Sequence, residues 1–182
     1  REVEHKIQLV DERQTHVVPE GSEELHLARR LGYGREDPAS AVARFRDGSD
    51  TPRKYLERCV EMIEAREAEV MAFAFLNLDG ARKAADQSVE RYKNGRPLSL
   101  VDGIPIGIKD LIETADMPTE FGSDLFRGNR PIRDAASVYA LRHGGAVLVG
   151  KTVTVTLGGG DPSKTRNPFD TRRTPGGSSS GS

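Results

Sequence analysis

Two short segments contain residues whose types and spacing could support acid–base and nucleophilic chemistry. The run TPGGSSSGS, residues 174–182, places three consecutive hydroxyls between glycines. The run DGIPIGIKD, residues 102–110, is an alternating apolar stretch that delivers Lys109 near its end. A serine hydroxyl both donates and accepts a proton. A lysine amine accepts a proton where burial or a nearby cation favours its neutral form. Together the segments predict a serine–lysine site.

Each segment also has an ordinary structural interpretation. Gly/Ser-rich runs are typical of flexible linkers. A lysine followed by an aspartate, as in Lys109 and Asp110, is typical of a surface ion pair. However, the approach to the serine run, residues 167–175, contains turn formers and cations and lacks a linker composition. The presence of both segments therefore favours a functional pairing over either ordinary interpretation.

Histidine, the usual base for a serine nucleophile, is absent from the serine run and its neighbourhood. Ser-Lys arrangements provide the same chemistry on other folds. The three N-terminal histidines, His5, His16 and His26, form no recognised metal-ligand motif. We therefore interpret these histidines as surface residues and predict no metal site.

Both segments resemble the amidase signature family. The family's lysine ends a Gly-(Val/Ile)-Pro-(hydrophobic)-x-(hydrophobic)-Lys-Asp strand, which residues 103–110 match. Its serine loop reads Pro-Gly-Gly-Ser-Ser-Gly/Ser-Gly-Ser, which residues 175–182 match, and the separation of 69 residues between Lys109 and Ser178 is similar to the family's. Residues 150–152 (GKT) and 167–168 (NP) are similar to landmarks between these elements. The resemblance extends from about Ser40 to the last residue.

The resemblance implies an α/β fold, the amidase signature fold, in which helices cover both faces of a mixed β-sheet. It also implies hydrolysis of a carboxamide through an acyl-enzyme, with no metal or organic cofactor. In the family's Ser-cisSer-Lys triad, Lys109 would be the general base. Ser178, joined to Gly177 by a cis peptide bond, would bridge the lysine and the nucleophile. Gly177, Ser179 and Asp110 would support this arrangement.

The third member of the triad has no match in this sequence. In the family, the nucleophilic serine lies about two dozen residues beyond the bridging serine, and amides beside it form the oxyanion hole. Ser180, which replaces the commoner glycine, and Ser182 are both too close to Ser178 to take this role. We therefore expect that the native chain continues past Ser182 to the nucleophile. These 182 residues, the N-terminal part of the family's domain, should be inactive by themselves.

Three functional hypotheses remain open. The first is an amidase that acts on linear small-molecule amides, without nucleic acid or membrane partners, as a monomer or a homodimer. The second is the A-type glutaminase subunit of a tRNA-dependent amidotransferase, which shares the signature and requires partner subunits. Residues 1–36 and the loop 154–165 do not resemble that subunit. The third is a non-catalytic fragment or an interaction module.

The composition is that of an ordinary polar globular protein. The 182 residues are 36% hydrophobic and 30% charged, and the formal net charge is −1, which gives no sign of nucleic-acid or membrane attraction. The single Cys59 excludes an internal disulfide and fits a reducing compartment. No apolar run is long enough to span a membrane, and no signal-peptide core follows the charged N-terminus. We therefore expect a cytoplasmic protein.

Helix and strand signals alternate along most of the chain. Residues 1–36 form an N-terminal extension with a short helix after Ser22, and residues 37–182 form the amidase domain. The predicted helices run from Pro38 to Gly48, from Pro52 with Thr51 as its cap and Cys59 on its core stripe, from Asp79 as cap to Asn94, and from Asp134 as cap to His143. The predicted strands lie at 70–78, at 104–108 with Lys109 at or near the strand end, and at 146–149. This alternation predicts an α/β architecture with partly parallel strands.

Residues 145–152, GAVLVGKT, fit the P-loop pattern letter for letter. A phosphate-binding loop of this type follows a strand, and its backbone wraps the phosphates between the two glycines. Here a predicted helix precedes Gly145, and the residues between the glycines form an apolar, strand-like run. We therefore predict a buried strand at this position and no nucleotide binding.

Overall fold

The computed structural model of the protein describes residues 38–182, in which helices and strands alternate. In chain order these are α1 (Pro38–Asp47), α2 (Pro52–Val70), β1 (Phe73–Leu76), α3 (Leu78–Lys93), β2 (Pro105–Lys109), α4 (Ala136–His143) and β3 (Val147–Thr152). Short 3-10 helices lie at Asp124–Phe126 and Thr156–Gly158. The predicted N-terminal extension, its short helix and the three N-terminal histidines lie outside the described residues.

The three strands form a mixed sheet in the order β1-β3-β2. The central strand β3 pairs antiparallel with β1 and parallel with β2. In the parallel ladder, Ile108 lies opposite Lys151 and Lys109 lies opposite Thr152. Pro105 begins β2, at the edge of this sheet, where a residue without an N–H group is tolerated. The predicted α/β architecture with partly parallel pairing is confirmed.

Helices pack against both faces of the sheet. On one face, α2 and α3 bury a cluster with β3 that consists of Leu56, Val60, Ala81, Ala85, Val147 and Val149. On the other face, α4 and the loop after β2 bury a second cluster, which consists of Ile108, Met117, Val138, Ala146 and Leu148. Successive strand residues point to opposite faces, so β3 contributes Val147 to one core and Leu148 to the other.

The second helix begins as the sequence predicts. Thr51 has extended backbone angles, and its side chain accepts a hydrogen bond from the amide of Lys54. Pro52 occupies the first helical turn, where its missing N–H group costs no hydrogen bond. Of the predicted core stripe, Leu56 and Val60 are buried, whereas Cys59 is only partly buried.

Two predicted helix caps are wrong. The cap of α3 is Asn77, whose side chain accepts from the amide of Gly80, and Asp79 lies inside the first turn instead. An acidic residue there is still favourable because the helix N-terminus carries partial positive charge. Ala135 precedes α4 without a side-chain cap. Asp134 instead accepts a hydrogen bond from the amide of Ala115 and pairs with Arg142.

Two of the predicted strands have different lengths in the structure. The strand expected at 70–78 covers only Phe73–Leu76, because α2 continues to Val70 and Met71 ends it with a left-handed φ of 53°. The strand expected at 146–149 instead runs over Val147–Thr152, and all six residues are buried. The P-loop-like run is therefore a strand through its second glycine, as its apolar sequence predicts, and forms no phosphate loop.

A buried carboxylate fastens the chain just before β2. Asp102 accepts hydrogen bonds from Ser88 at 2.6 Å, from Arg91 at 2.6 and 2.8 Å, and from the amide of Leu98 at 2.8 Å. Burial alone would raise the pKa of Asp102, but these donors together hold the pKa below its usual value. The start of β2 is therefore tied to α3 by a fully hydrogen-bonded charge.

None of the helices within residues 38–182 combines the length and the apolar character that crossing a bilayer requires.

Candidate active site

Lys109 is the last residue of β2, as the sequence predicts. Its position opposite Thr152 in the parallel ladder places both side chains on the same face of the sheet. The side chain is partly buried, so it is held by the fold while its amine remains within reach of a neighbouring loop. The predicted strand-end position of the lysine is therefore confirmed.

The serine run, residues 174–182, lies against the segment that follows β3, which we call the post-β3 segment (residues 153–157). The carbonyl of Ser178 accepts hydrogen bonds from the amide of Val155 at 3.1 Å and from the hydroxyl of Thr154 at 3.0 Å. The amide of Gly181 donates to the carbonyl of Val153 at 2.9 Å. The run is thus fastened mainly through its backbone, which leaves the side chains available for chemistry.

Gly181 allows this close approach because it has no Cβ. A Cβ at this position would overlap the carbonyl oxygen of Ala72 and would lie 2.5 Å from the amide nitrogen of Val153. Both neighbours are backbone atoms of residues that directly flank strands, so neither can rotate away as a side chain could. The glycine after the serines is therefore required for the loop to pack at this distance from the sheet.

The two predicted segments meet at one hydrogen bond. The Lys109 Nζ donates to the Ser178 Oγ at 2.7 Å, across 69 residues of sequence. The peptide bond between Gly177 and Ser178 is cis, as the resemblance to the family implies. The arrangement puts an amine in direct contact with a hydroxyl, which is the geometry required for proton transfer between the two groups.

The remaining serines of the run have different surroundings. The carbonyl of Ser179 accepts from the amide of Ser182 at 3.3 Å, which closes a tight turn. The Ser182 Oγ lies 3.5 Å from the Thr152 Oγ1. The Ser180 hydroxyl is buried and has no hydrogen-bond partner within residues 38–182. A Cβ on Gly177 would lie 3.0 Å from a methyl group of Val155, so this position also packs tightly on the post-β3 segment.

Asp110 does not form the surface ion pair with Lys109 that the ordinary interpretation expected. The residue is 3% exposed, and its carboxylate lies 3.6 Å from the Nζ of Lys151 and accepts from the amide of Glu120 at 3.2 Å. The reason is the strand geometry: Asp110 follows Lys109 and therefore points to the opposite face. Asp110 therefore contacts Lys151 on the face of the sheet opposite the Lys109 side chain.

Lys151 is a functional candidate that the sequence did not reveal. Its side chain is completely buried, and its Nζ donates to the carbonyl of Ile112 and to the hydroxyl of Thr119, both at 2.6 Å. Burial lowers the pKa of Lys151, while the nearby Asp110 carboxylate opposes this shift. The available signals were a lysine inside a run of apolar residues and the similarity of residues 150–152 to a family landmark, but neither signal gave Lys151 a role.

Other charged groups of the described chain do not form a competing site. No three His, Cys, Asp or Glu side chains of residues 38–182 converge as metal ligands would. A shallow depression along α3 is lined by side chains such as Arg82, Asp86 and Glu90 and includes neither Lys109 nor the serine run. The convergent polar geometry of the described chain therefore lies between β2, β3 and the serine run.

Comparison with known families agrees with this geometry. The model of the amidase family matches residues 54–182, which include both Lys109 and the whole serine run. The chain therefore belongs to the amidase signature family, whose enzymes hydrolyse carbon–nitrogen bonds. A second family model, described as GlnD PII-uridylyltransferase, matches residues 1–64, most of which lie outside the described residues.

Curated relatives include the A-type subunit of glutamyl-tRNA(Gln) amidotransferase from Chloroflexus aggregans, which is 40% identical over 141 residues, or 74% of this chain and 29% of the relative. The same subunit from Acidothermus cellulolyticus is 36% identical over 162 residues, or 86% of this chain and 31% of the relative. The chain thus spans less than a third of the length of these two relatives.

Solved structures give the same fold. The native peptide amidase from Stenotrophomonas maltophilia superposes with a TM-score of 0.76 at 34% sequence identity, over 82% of this chain and 33% of that protein. The α/β amidase signature fold that the sequence predicted is therefore confirmed, and the chain corresponds to about a third of such a structure.

Proposed function

We propose that the protein is an amide hydrolase in which Lys109 is the general base and Ser178 passes protons between the lysine and a serine nucleophile. The observation that carries this proposal is the 2.7 Å hydrogen bond from Lys109 Nζ to Ser178 Oγ. Membership of the amidase signature family supports it, because a match through residues 54–182 includes both groups.

In the proposed reaction, the neutral amine of Lys109 accepts the proton of Ser178 as the Ser178 oxygen takes up the proton of the nucleophile. The nucleophile attacks the amide carbonyl and forms an acyl-enzyme, and the proton returns along the same path to the departing amine. Water then releases the acid by the same sequence of proton transfers. Gly177, Ser179 and Asp110 act in this proposal by holding the two groups in place.

The nucleophile is proposed to be a serine beyond residue 182. Ser180 and Ser182 belong to the tight turn that directly follows Ser178, and the Ser182 hydroxyl is directed to Thr152 instead of Lys109. The backbone of Ser178 is fixed to the post-β3 segment, so its side chain is free to contact both Lys109 and an incoming serine. Ser178 is therefore better placed as a bridge than as an independent nucleophile.

A second candidate function is the glutaminase activity of an amidotransferase, which would transfer ammonia from glutamine to a tRNA-bound acceptor. The observation in its favour is that the curated relatives described above are named as a subunit of glutamyl-tRNA(Gln) amidotransferase. That function requires partner subunits, whereas a free-standing amidase works alone or as a homodimer. The solved relative named above is a peptide amidase and represents the other case.

The proposal is tested by replacing Lys109 with Ala in the full-length protein and measuring ammonia release from primary carboxamides. We expect kcat to fall by about 1,000-fold, within the range that general acid–base groups contribute. The matched control is Lys93→Ala, because Lys93 is an exposed lysine on α3 that pairs with Glu90. The Lys93→Ala variant should release ammonia at the wild-type rate.

Retention of wild-type hydrolysis by folded Lys109→Ala would refute the proposed base.

The substrate that the protein hydrolyses distinguishes the two candidate functions. An amidase hydrolyses simple carboxamides without partners, while the glutaminase of an amidotransferase uses glutamine and is stimulated by its partner subunits and by acceptor tRNA. Loss of both activities in the Ser178→Ala variant, with unchanged folding, would support the role of Ser178 in either case.

A further inference from the structure

Lys109 on β2 and Lys151 on β3 lie at ladder positions one residue apart, so their side chains are on opposite faces of the sheet. Lys109 pairs with Thr152 in the ladder and contacts Ser178 on one face of the sheet. Lys151 pairs with Ile108 and points to the other face, where its side chain is completely buried. Because Lys151 has no access to solvent, it cannot meet a substrate, and its function must be exerted through its neighbours.

The neighbours of Lys151 are the residues that follow Lys109. Its Nζ donates to the carbonyl of Ile112, and the amide of Ile112 donates in turn to the carbonyl of Lys109 at 2.9 Å. The carboxylate of Asp110 lies 3.6 Å from the same Nζ. One buried ammonium group therefore fastens the turn that immediately follows the candidate base.

The same ammonium group also reaches the loop that contacts the post-β3 segment. Its Nζ donates to the hydroxyl of Thr119, and the adjacent residue Glu120 donates its amide to the Asp110 carboxylate. The carbonyl of Phe121 then accepts from the amide of Leu157 at 2.8 Å, in the post-β3 segment. The amide of Val155 in that segment donates to the carbonyl of Ser178.

Hydrogen bonds, joined by short stretches of backbone, therefore connect Lys151 to both sides of the candidate site. One branch passes through Asp110 and Ile112 to the backbone of Lys109. The other passes through Thr119 and the following loop to the post-β3 segment and Ser178. A shift of the Lys151 ammonium group would move the Lys109 amine and the Ser178 hydroxyl relative to each other.

We propose that Lys151, together with Asp110, is a positioning pair that holds the Lys109 amine against Ser178 during amide hydrolysis. The proposal rests on the proposed function, since it assigns a role in that reaction to residues that do not touch the substrate. It attributes to Lys151 an effect on the geometry of the reacting groups, beyond an effect on the stability of the fold.

General energetics separate these two effects. Desolvation of two buried charges often offsets their attraction, and replacing such a pair by neutral groups of similar size is often neutral for stability or favourable. Burial raises the pKa of Asp110 and lowers that of Lys151, which indicates that the site strains the charged forms of both groups. The pair is therefore better explained by the positions that it fixes than by stability.

The test is the double variant Asp110→Asn/Lys151→Met in the full-length protein, which removes both charges and keeps similar volumes. We expect kcat per folded molecule to fall by about 10-fold or more, because a misplacement of about 1 Å can cost on the order of 100-fold in rate. KM should stay within about twofold of the wild type, since uniform substrate binding is not altered. The melting temperature should fall moderately, because Lys151→Met also removes two buried hydrogen bonds, and kcat is therefore compared per folded molecule.

Two further variants make the result decisive. Thr119→Val removes one acceptor of Lys151 without a change in charge, and it should lower kcat by a smaller factor with the same unchanged KM. Glu90→Gln/Lys93→Met removes a matched lysine–carboxylate pair from the exposed surface of α3 and should leave kcat and KM at wild-type values. The folded fraction of each variant is measured by circular dichroism, and kcat is calculated for folded molecules only.

Wild-type kcat in the folded double variant would overturn the positioning role, as would an activity loss that merely follows the folded fraction. If the double variant does not fold, Thr119→Val decides the matter, and a wild-type kcat in that folded variant overturns the proposal. Failure of the proposed function has a different signature: amide hydrolysis would then be independent of Lys109. A Lys109-dependent activity that is insensitive to the double variant refutes the positioning pair alone.

Discussion

The two ends of β2 each hold a buried aspartate, and the pKa values of these two residues shift in opposite directions. Asp102, before the strand, has a pKa below its usual value, although burial alone would raise it. Asp110, after the strand, has a pKa above its usual value, and burial is the largest cause. The two buried carboxylates that flank this five-residue strand therefore differ in how well their charged forms are stabilised.

The difference lies in the donors that each carboxylate receives. Asp102 accepts a two-point hydrogen bond from Arg91, a third from Ser88 and a fourth from a backbone amide, so its charged form is well compensated. Asp110 accepts from the amide of Glu120, the amide of Gly122 also favours its charged form, and Lys151 is 3.6 Å away, beyond a normal hydrogen bond.

This contrast indicates that the two ends of β2 have different functions. We call Asp102 and its donors Ser88, Arg91 and Leu98 the brace, in which the carboxylate charge is fully hydrogen-bonded. The end beside Asp110 retains incompletely compensated charges, next to the proposed catalytic lysine. Perturbed titratable groups are enriched at functional sites, where geometry and reactivity take precedence over stability. Substitutions at the two ends should therefore differ in what they damage.

The largest effect on stability is expected from Asp102→Asn. Removal of this buried charge leaves Arg91 without its counter-ion, and we expect a loss of about 3 kcal/mol in the free energy of unfolding. The measurement is urea-induced unfolding at neutral pH. The control is Asp86→Asn, an exposed carboxylate that pairs with Arg53 on the surface and should unfold at nearly the wild-type urea concentration. Equal midpoints for Asp102→Asn and the control would contradict the brace.

Asp110→Asn should lower the free energy of unfolding by less, about 2 kcal/mol at neutral pH, because Lys151 keeps its two uncharged hydrogen-bond acceptors.

The two aspartates differ more clearly in the pH dependence of their contributions to stability. The pKa of Asp102 is lowered by folding, so its contribution is present above the unfolded value of ~3.9 and is lost as the pH falls through the folded pKa.

The pKa of Asp110 is raised by folding, so the folded protein binds a proton more readily than the unfolded chain at this position. Wild-type stability relative to Asp110→Asn should therefore increase as the pH falls from the folded pKa towards ~3.9. Asp110 therefore changes the stability above pH ~3.9 and Asp102 changes it below pH ~3.9, so urea unfolding of the wild type and both asparagine variants is measured across both pH ranges to give the two slopes. Slopes of the same sign would remove the distinction between the two ends of β2.

The smallest effect is expected from Ser88→Ala, which removes one donor from Asp102 and leaves Arg91 and the backbone amide in place. We expect a loss of about 1 kcal/mol, the usual contribution of one hydrogen bond. Amide hydrolysis by the folded variant should be unchanged, because the change is confined to the brace. A loss as large as that of Asp102→Asn would show that Ser88, instead of Arg91, is the main partner of the carboxylate.

Much of the candidate site could be predicted from local sequence. The alternation of isoleucines with Pro105 and Gly107 indicates a strand that ends at Lys109, and turn formers lead into the serine run. Helix boundaries were predictable where the punctuation is unambiguous, as at Thr51 with Pro52. At α3, Asn77 and Asp79 are both suitable caps, and the sequence alone did not distinguish them.

The role of Lys151 required information that no local pattern contains. Its partners Ile112, Thr119 and Asp110 are brought together by the parallel register of β2 and β3 and by the loop that crosses behind them. Sequence shows that a lysine interrupts an apolar run, but it does not show which face of the sheet that lysine occupies. The partner of Asp110 was unpredictable for the same reason.

The 69 residues between Lys109 and Ser178 also affect the order in which the protein can fold. Their contact depends on β3, which must first add in parallel to β2 through a long crossover, and non-local pairings of this kind are slow because loop closure costs entropy before it is rewarded. The serine run then docks on the segment that follows β3. This topology predicts that the sheet is complete before the amine and the hydroxyl meet.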